Sequence, residues 1–329
     1  MVLMDCTLRD GANVIGKGFD ARLTKMMIEG LIASNIKIIE MGNCLGIGAY
    51  EANNSISPLN DDEYLDLVQP YLKDAEIGMF MGVKNANEKN IAKAAKAGLK
   101  FLRIGANAGD GKAAVEGVKL VKKYGMKCRY SMMKGYILSA EDLADEAKML
   151  EDAGLDEITI MDSAGTMYPD MVREYCKALT SKVSIPVAFH GHNNLGLSVA
   201  NALAALEGGA TVLDCGLMGM ARSAGNCSTE LITAALQQQG KLEYVDFLTL
   251  LHFVDKELMP AMEERGYHDP VKPLDIVYGF AGAHSSFGAL FADVAKEKNV
   301  DLFKLIIEVS KIDRKAPSRE LIEKVADSL

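Results

Sequence analysis

Tryptophan is absent from this chain, aromatic residues make up only 6% of it, and only 8 of its 329 residues are proline. A core poor in large rings must be filled by aliphatic side chains. The 18 methionines suit that task, because a flexible thioether fills irregular gaps. No uninterrupted apolar stretch approaches the ~20 residues that a bilayer-crossing helix needs. There is no Lys/Arg block either, and the formal charge is −9, which argues against nucleic acid or an anionic membrane as the main partner. The six cysteines, at 6, 44, 128, 176, 215 and 227, include no C-x-x-C pair and several lie in apolar runs. That usage fits reduced core thiols of a cytoplasmic protein better than a disulfide framework. The opening Met1-Val2-Leu3-Met4-Asp5-Cys6 lacks a basic region and meets charge too early for a signal peptide.

What is present is a repeat. Eight β-type runs, at 2–7, 36–41, 77–81, 101–104, 128–132, 157–161, 187–189 and 212–216, are each followed by apolar residues at helical spacing, as in 140–150. Gly98, Gly125 and Gly154 fall where helix C-caps belong. Such alternation predicts parallel strands joined by crossover helices, and eight units close a (β/α)8 TIM barrel. No G-x-G-x-x-G opens the first helix, which disfavours an open doubly wound sheet. Beyond about residue 240 the strand signal fades and helical segments follow at 244–265, 281–298, 302–310 and 319–328. The expected organisation is a barrel catalytic domain over 1–240 and a C-terminal helical extension over 241–329. The extension is expected to pack on or near the barrel mouth or to make an oligomer contact.

Chemistry concentrates at two strand ends. His190-Gly191-His192 closes the seventh run, and side chains two apart on a strand project the same way, so both imidazoles can reach one ion. Asp10 ends the first run and adds a carboxylate. Two His and one Asp form a divalent-metal set with open positions, suited to Mn²⁺, Mg²⁺, Co²⁺ or Zn²⁺. Active sites of these barrels lie at the C-terminal strand ends, where all three fall. Arg9 would neutralise an enolate or carboxylate oxygen, provided the backbone turns after Leu8 so that Arg9 and Asp10 face the same way.

Other candidates carry competing readings. Asn226, in the small-residue loop 221–226, either adds an oxygen ligand or shapes that loop. Ser163 leads into a glycine turn that could present N–H groups to a carboxylate, or it caps a helix. Glu40 reads as half of an inner-barrel ion pair, with a substrate contact as the other reading. Lys84 and Lys134 follow the third and fifth runs and could serve a Schiff-base mechanism, although the metal set makes one unnecessary. His252 and His268 lack ligand partners at suitable spacing and read as surface or packing residues. His284 lies in what reads as a loop entering a helix, 279–287.

Taken together, Thr7-Leu8-Arg9-Asp10-Gly11, His190-Gly191-His192-Asn193-Asn194-Leu195-Gly196, Ala224-Gly225-Asn226 and Tyr278-Gly279-Phe280-Ala281-Gly282 resemble the 4-hydroxy-2-oxovalerate aldolase family. More broadly, they resemble the metal-dependent TIM-barrel superfamily that includes hydroxymethylglutaryl-CoA lyase and the isopropylmalate and homocitrate synthases. The resemblance implies metal ligation by Asp10, His190 and His192, enolate stabilisation by Arg9 and substrate carboxylate contact near Ser163. It also implies Mn²⁺ or Mg²⁺ as the cation and an acylating aldehyde dehydrogenase as partner. The chain departs from the family pattern at Asn13, where the family carries a basic histidine. An amide cannot take a proton at neutral pH, which leaves Asn13 as a substrate-binding candidate. Asn193 replaces another family histidine. His284 replaces a family tyrosine and becomes the candidate relocated base, with metal-bound hydroxide as the other option.

The resulting expectation is a metal-dependent (class II) aldolase that makes or breaks a C–C bond of a 4-hydroxy-2-oxo acid through a metal-bound pyruvate enolate. The alternatives are an acyl-CoA condensing synthase and a catalytically weak scaffold barrel.

Overall fold

The computed structural model describes residues 1–53, 57–267 and 273–329. Eight parallel strands form one sheet: β1 (Val2–Asp5), β2 (Ile38–Met41), β3 (Glu76–Gly82), β4 (Phe101–Asn107), β5 (Lys127–Met133), β6 (Glu157–Asp162), β7 (Val187–Gly191) and β8 (Val212–Cys215). β8 pairs back onto β1, with Val2 beside Val212 and Asp5 beside Cys215, so the sheet closes into a barrel. Closure leaves no unpaired edge. Helices cover the outside, which is why most strand residues are buried on both faces. Polar groups start and stop these helices. Asp20 accepts the Leu23 N–H at the head of Ala21–Ala33, and Ser139 accepts that of Asp142 at the head of Ala140–Asp152. The latter helix gives way to Gly154 at φ 101°, a left-handed conformation that glycine adopts without strain.

β1 is shorter than its apolar run, and the reason positions the site. Asp5 is completely buried and accepts the Thr7 N–H at 2.9 Å and the Thr229 hydroxyl at 2.7 Å. The chain therefore turns at once, and the N–H groups of Arg9 and Asp10 both donate to the Cys6 carbonyl, at 3.1 and 2.8 Å. Strand alternation no longer applies, and neighbouring residues point into the same mouth.

Burial pushes the Asp5 carboxyl up to about 6, against hydrogen bonds from Thr7 and Thr229 that lower it. A carboxyl raised in the folded state favours folding fully below its unfolded pKa and loses that contribution as pH rises to about 6. In Asp5→Asn the amide mimics the protonated acid and keeps both contacts, with the Thr229 hydroxyl now accepting. The variant is expected to gain up to about 3 kcal/mol over wild type at pH 8 and to show no gain at pH 4. Thermal unfolding across that range decides, and a variant less stable at pH 8 refutes the reading.

Residues 242–267 share the buried cluster of the barrel, whereas Tyr278 to Ala326 surround a second cluster that includes Phe291, Leu305, Ile306, Val309 and Ile322. The loop expected at 279–287 is present, and two of the helical segments differ from expectation in detail. The run 281–298 is broken, because helix Pro273–Ala281 ends at Gly282 (φ 71°), where the Ala283 N–H turns back to the Tyr278 carbonyl. The chain continues through the short turn Ser285–Phe287 into Gly288–Lys298. The run 244–265 holds Phe247–Phe253 and Met259–Glu263, joined by a wider π turn at Val254–Leu258. Pro260, just beyond, has no N–H to continue an ordinary α ladder. The extension is tied to the barrel at Lys134, whose ammonium donates to the Lys315 carbonyl and lies 5.3 Å from the centre of the Phe287 ring. No helix among the described residues is long and apolar enough to cross a membrane.

Candidate active site

Three neighbouring segments build the polar floor of the barrel mouth: the turn after β1, the end of β7 and the loop after β8. That loop folds back on β7. The Asn193 N–H donates to the Gly225 carbonyl at 2.8 Å, the Cys227 N–H to the Gly191 carbonyl at 3.1 Å, and His192 and Asn226 form a β-bridge. Gly225 is required there. Its φ is +86°, and a Cβ would stand 2.3 Å from the Gly219 carbonyl oxygen.

Asp10, His190 and His192 converge, with ligand-capable atoms all within 4.8 Å of one another. Asp10 Oδ2 lies 3.5 Å from His190 Nε2 and 3.7 Å from His192 Nε2. Asn226 Nδ2 donates to the same oxygen at 2.9 Å. Arg9 Nη1 pairs with Asp10 Oδ1 at 3.1 Å, and Arg9 Nε donates to Glu40 Oε1 at 2.6 Å. Glu40 is thus half of an inner-barrel ion pair.

Burial works against the Asp10 charge, but Arg9 and the two histidines hold its carboxyl well below the usual range. Burial, reinforced by the positive charge of His190, Arg222 and Arg9, pushes His192 down to about 3 despite Asp10. Its ring is neutral and its lone pair free to ligate. Burial also disfavours charge on His190, but the Asp10 and Asp214 carboxylates beside it outweigh that and raise its pKa.

The donor set fits a divalent cation. His190 Nε2 and Asn226 Oδ1 are buried without a hydrogen-bond partner, a situation that costs about 1–3 kcal/mol for each group and that a cation beside Asp10 relieves. A second group, Cys6, His190 and Asp214, is equally compact but fits poorly. Burial, with Asp214 and Glu40 nearby, pushes the Cys6 thiol far up, so it keeps its proton.

A cavity of about 290 Å³ opens above this floor. Arg9, Asp10, His190, His192, Ser163, Arg222 and His284 line its polar side, and Leu45, Phe80, Met133 and Met161 its apolar side. His284 therefore does reach the mouth. Asn13 and Asn226 are not in the lining. Asn13 donates to the Asp10 carbonyl at 2.9 Å and accepts from Arg222 at 3.4 Å, so both amides hydrogen-bond to Asp10.

Ser163 lines the cavity, and its oxygen accepts the Lys134 N–H at 2.9 Å. It caps no helix, since the next one begins at Pro169. The glycine turn does not offer its N–H groups outward, because Asp162 takes those of Thr166 and Met167, each at 3.0 Å. Lys84 and Lys134 are outside the lining. His252 is exposed, and His268 lies outside the described residues.

Sequence reasoning did not pick out Arg103, Asp214, Arg222, Phe80 or Met161. A charge inside an apolar run, as in Phe101-Leu102-Arg103-Ile104, is a usable signal for the first two. Nothing local marks the others.

Comparison with known proteins sets the chain among the carbon–carbon lyases of the aldolase type. More closely, the chain belongs to the HMGL-like family, whose model matches residues 1–255. It is 31% identical over 329 residues to the 4-hydroxy-2-oxovalerate aldolase of Carboxydothermus hydrogenoformans, covering 99% of this chain and 96% of that one. It is 33% identical over 285 residues to that of Pelotomaculum thermopropionicum, covering 87% and 83%. Among solved structures, it is similar to the carboxyl transferase domain of Rhizobium etli pyruvate carboxylase (TM-score 0.79, 17% identity, 99% of this chain and 60% of the other). It is also similar to the N-terminal domain of a Bacteroides vulgatus protein (TM-score 0.71, 20% identity, 95% and 97%). At these identities the two likenesses speak for the fold alone.

Proposed function

We propose that the chain is a divalent-metal-dependent aldolase that cleaves or forms the C3–C4 bond of a 4-hydroxy-2-oxo acid, with Asp10, His190 and His192 as ligands and Asn226 as a fourth donor. The observation that carries this reading is the buried cluster itself, in which His190 Nε2 and Asn226 Oδ1 lack hydrogen-bond partners close to an Asp10 carboxylate paired with Arg9. Mn²⁺ or Mg²⁺ held there supplies Lewis acidity that makes an enolate of the 2-oxo acid accessible. Arg9 balances the negative charge that develops on the enolate oxygen. Its Nη2 is buried without a partner and is available to that oxygen. The Ser163 hydroxyl contacts the substrate carboxylate. The barrel 1–240 carries the chemistry in this reading, and the extension 241–329 contributes His284 to the mouth. The relatives' names support the substrate class. An acylating aldehyde dehydrogenase that consumes the aldehyde, and a cytoplasmic setting, belong to the same reading.

His284 acts as a hydrogen-bond donor in this proposal rather than as the relocated base. Burial and nearby Arg222, His192 and Lys134 push it down to about 3, so its ring is neutral. Its Nδ1 accepts the backbone N–H of Ser286 at 3.2 Å, with the Ser286 hydroxyl at 2.7 Å. A backbone N–H can only donate, so the ring proton sits on Nε2. Once the 4-hydroxyl proton has passed to hydroxide or water in the cavity, an N–H pointed at the oxygen on C4 stabilises the alkoxide, whose collapse to the aldehyde breaks the C3–C4 bond and leaves its electron pair in the enolate. His284→Gln, which keeps a donor, is expected to retain kcat within about tenfold, whereas His284→Phe loses about 10². Equal losses of 10² or more in both variants would restore the base.

The direct test is pyruvate release from a panel of 4-hydroxy-2-oxo acids. Release is expected to vanish after chelator treatment, to return with Mn²⁺ or Mg²⁺ and to survive borohydride. Metal-independent release abolished by borohydride would replace this reading with a lysine Schiff base.

A further inference from the structure

Inside the barrel, below the cavity floor, Arg103 on β4 is fully buried and outside the cavity lining. Its Nη2 donates to Asp214 Oδ2 on β8 at 2.6 Å, and its Nε faces Glu40 Oε2 on β2 at 3.4 Å. Each carboxylate has a second engagement. Asp214 Oδ2 lies 3.1 Å from His190 Nδ1, and Glu40 Oε1 holds Arg9 Nε at 2.6 Å. His190 and Arg9 both reach Asp10, at 3.5 and 3.1 Å. The six groups thus form a closed ring: Arg9, Glu40, Arg103, Asp214, His190, Asp10 and back to Arg9.

We infer that Arg103 is a positioning residue that orients the His190 imidazole through Asp214 and the Arg9 guanidinium through Glu40. Two carboxylates in a dry barrel interior stay ionised only beside a cation. A planar guanidinium addresses one on each side, as a point-like ammonium cannot. Asp214 Oδ2, 3.1 Å from His190 Nδ1, engages that ring nitrogen and leaves Nε2 as the one that faces Asp10. This carboxylate–imidazole arrangement is a recognised means of fixing a ligand's tautomer and orientation. An ionised Glu40 fixes Arg9 at Nε, leaving its terminal nitrogens for Asp10 and the cavity. A residue that touches neither cation nor substrate therefore sets both.

The inference rests on the proposed roles of His190 and Arg9, and its test separates the two levels. Mn²⁺ affinity is measured by calorimetry, kcat and KM by pyruvate release at saturating Mn²⁺, and the His190 ring nitrogens by ¹⁵N NMR without metal. Asp214→Asn is expected to weaken Mn²⁺ binding about 10- to 100-fold, with a much smaller change in kcat at saturating Mn²⁺. Glu40→Gln is expected to lower kcat about tenfold or more, with Mn²⁺ affinity within about threefold of wild type. Arg103→Met shows both defects, and Arg103→Lys restores at most one. Wild-type Mn²⁺ affinity and kcat in Arg103→Met would overturn the inference, as would equal damage to both parameters by Glu40→Gln and Asp214→Asn. If Arg103→Met does not fold, the split between those two near-isosteric variants decides. A wild-type chain that neither binds Mn²⁺ nor releases pyruvate would defeat the aldolase reading alone. The spectra would then still decide: a proton on His190 Nδ1 in wild type that is lost in Asp214→Asn upholds the positioning, and its absence in wild type refutes it.

Discussion

Asp10→Asn is expected to lower kcat by about 10³ or more and to abolish saturable Mn²⁺ binding. A cation at this site contributes several kcal/mol of charge stabilisation, and each 1.36 kcal/mol is a factor of ten in rate. The carboxylate is also the hub of the cluster. It receives Arg9 Nη1 and Asn226 Nδ2 and faces both imidazoles, at 3.1, 2.9, 3.5 and 3.7 Å respectively. An amide in its place turns a donor toward one of these neighbours and leaves Arg9 with Glu40 alone. Calorimetric titration with Mn²⁺ beside a pyruvate assay checks the result. A variant that binds Mn²⁺ as tightly as wild type would remove Asp10 from the ligand set.

Arg9→Met is expected to separate binding from rate, with kcat falling by about 10²–10³ while Mn²⁺ affinity stays within a few-fold. Arg9 lies over the Phe80 ring at 5.2 Å, so methionine keeps an apolar contact while the charge goes. Arg9→Lys is expected to recover little. One ammonium cannot replace a guanidinium that engages Glu40 through Nε and Asp10 through Nη1 at once. If Arg9→Met turned over at the wild-type rate, the enolate charge would have to be balanced elsewhere, and Arg222 is the other arginine in the lining.

The barrel and its metal-ligand candidates were legible because both rest on local pattern. Apolar runs alternating with helical spacing announce parallel strands, and parity alone puts His190 and His192 on one side of β7. The orientation of Arg9 was conditional, since the turn that frees it from strand parity is held by Thr229, 224 residues from Asp5. The contact of Asn226 with Asp10 is of the same kind. Asn226 meets Asp10 across 216 positions of sequence, and no window of neighbouring residues reports that. The break at Gly282 falls in 279–287, which reads as a loop entering a helix, but the helical spacing of 281–298 does not show where that helix begins. The positive φ that interrupts it is a property of one backbone angle. The Arg103 ring had half a signal, a charge inside a buried strand. Its partners on β2 and β8 become neighbours only once the sheet has closed.

Closure itself carries a consequence for how the molecule is made. Asp10 follows the first strand, His190 and His192 close the seventh, and Asn226 follows the eighth, so the cluster straddles the seam where the beginning of the chain meets the end of the barrel. A nascent chain emerging from the ribosome has no cation site until β8 docks on β1. Contacts of that sequence separation are slow to form, because a long loop must be closed first. An ion held there by both sides of the seam binds only the closed form and, by mass action, favours it over opened states. On the proposed reading a bound cation would serve as a clasp as well as a Lewis acid, and hydrogen exchange at β1 and β8 would slow when Mn²⁺ is added.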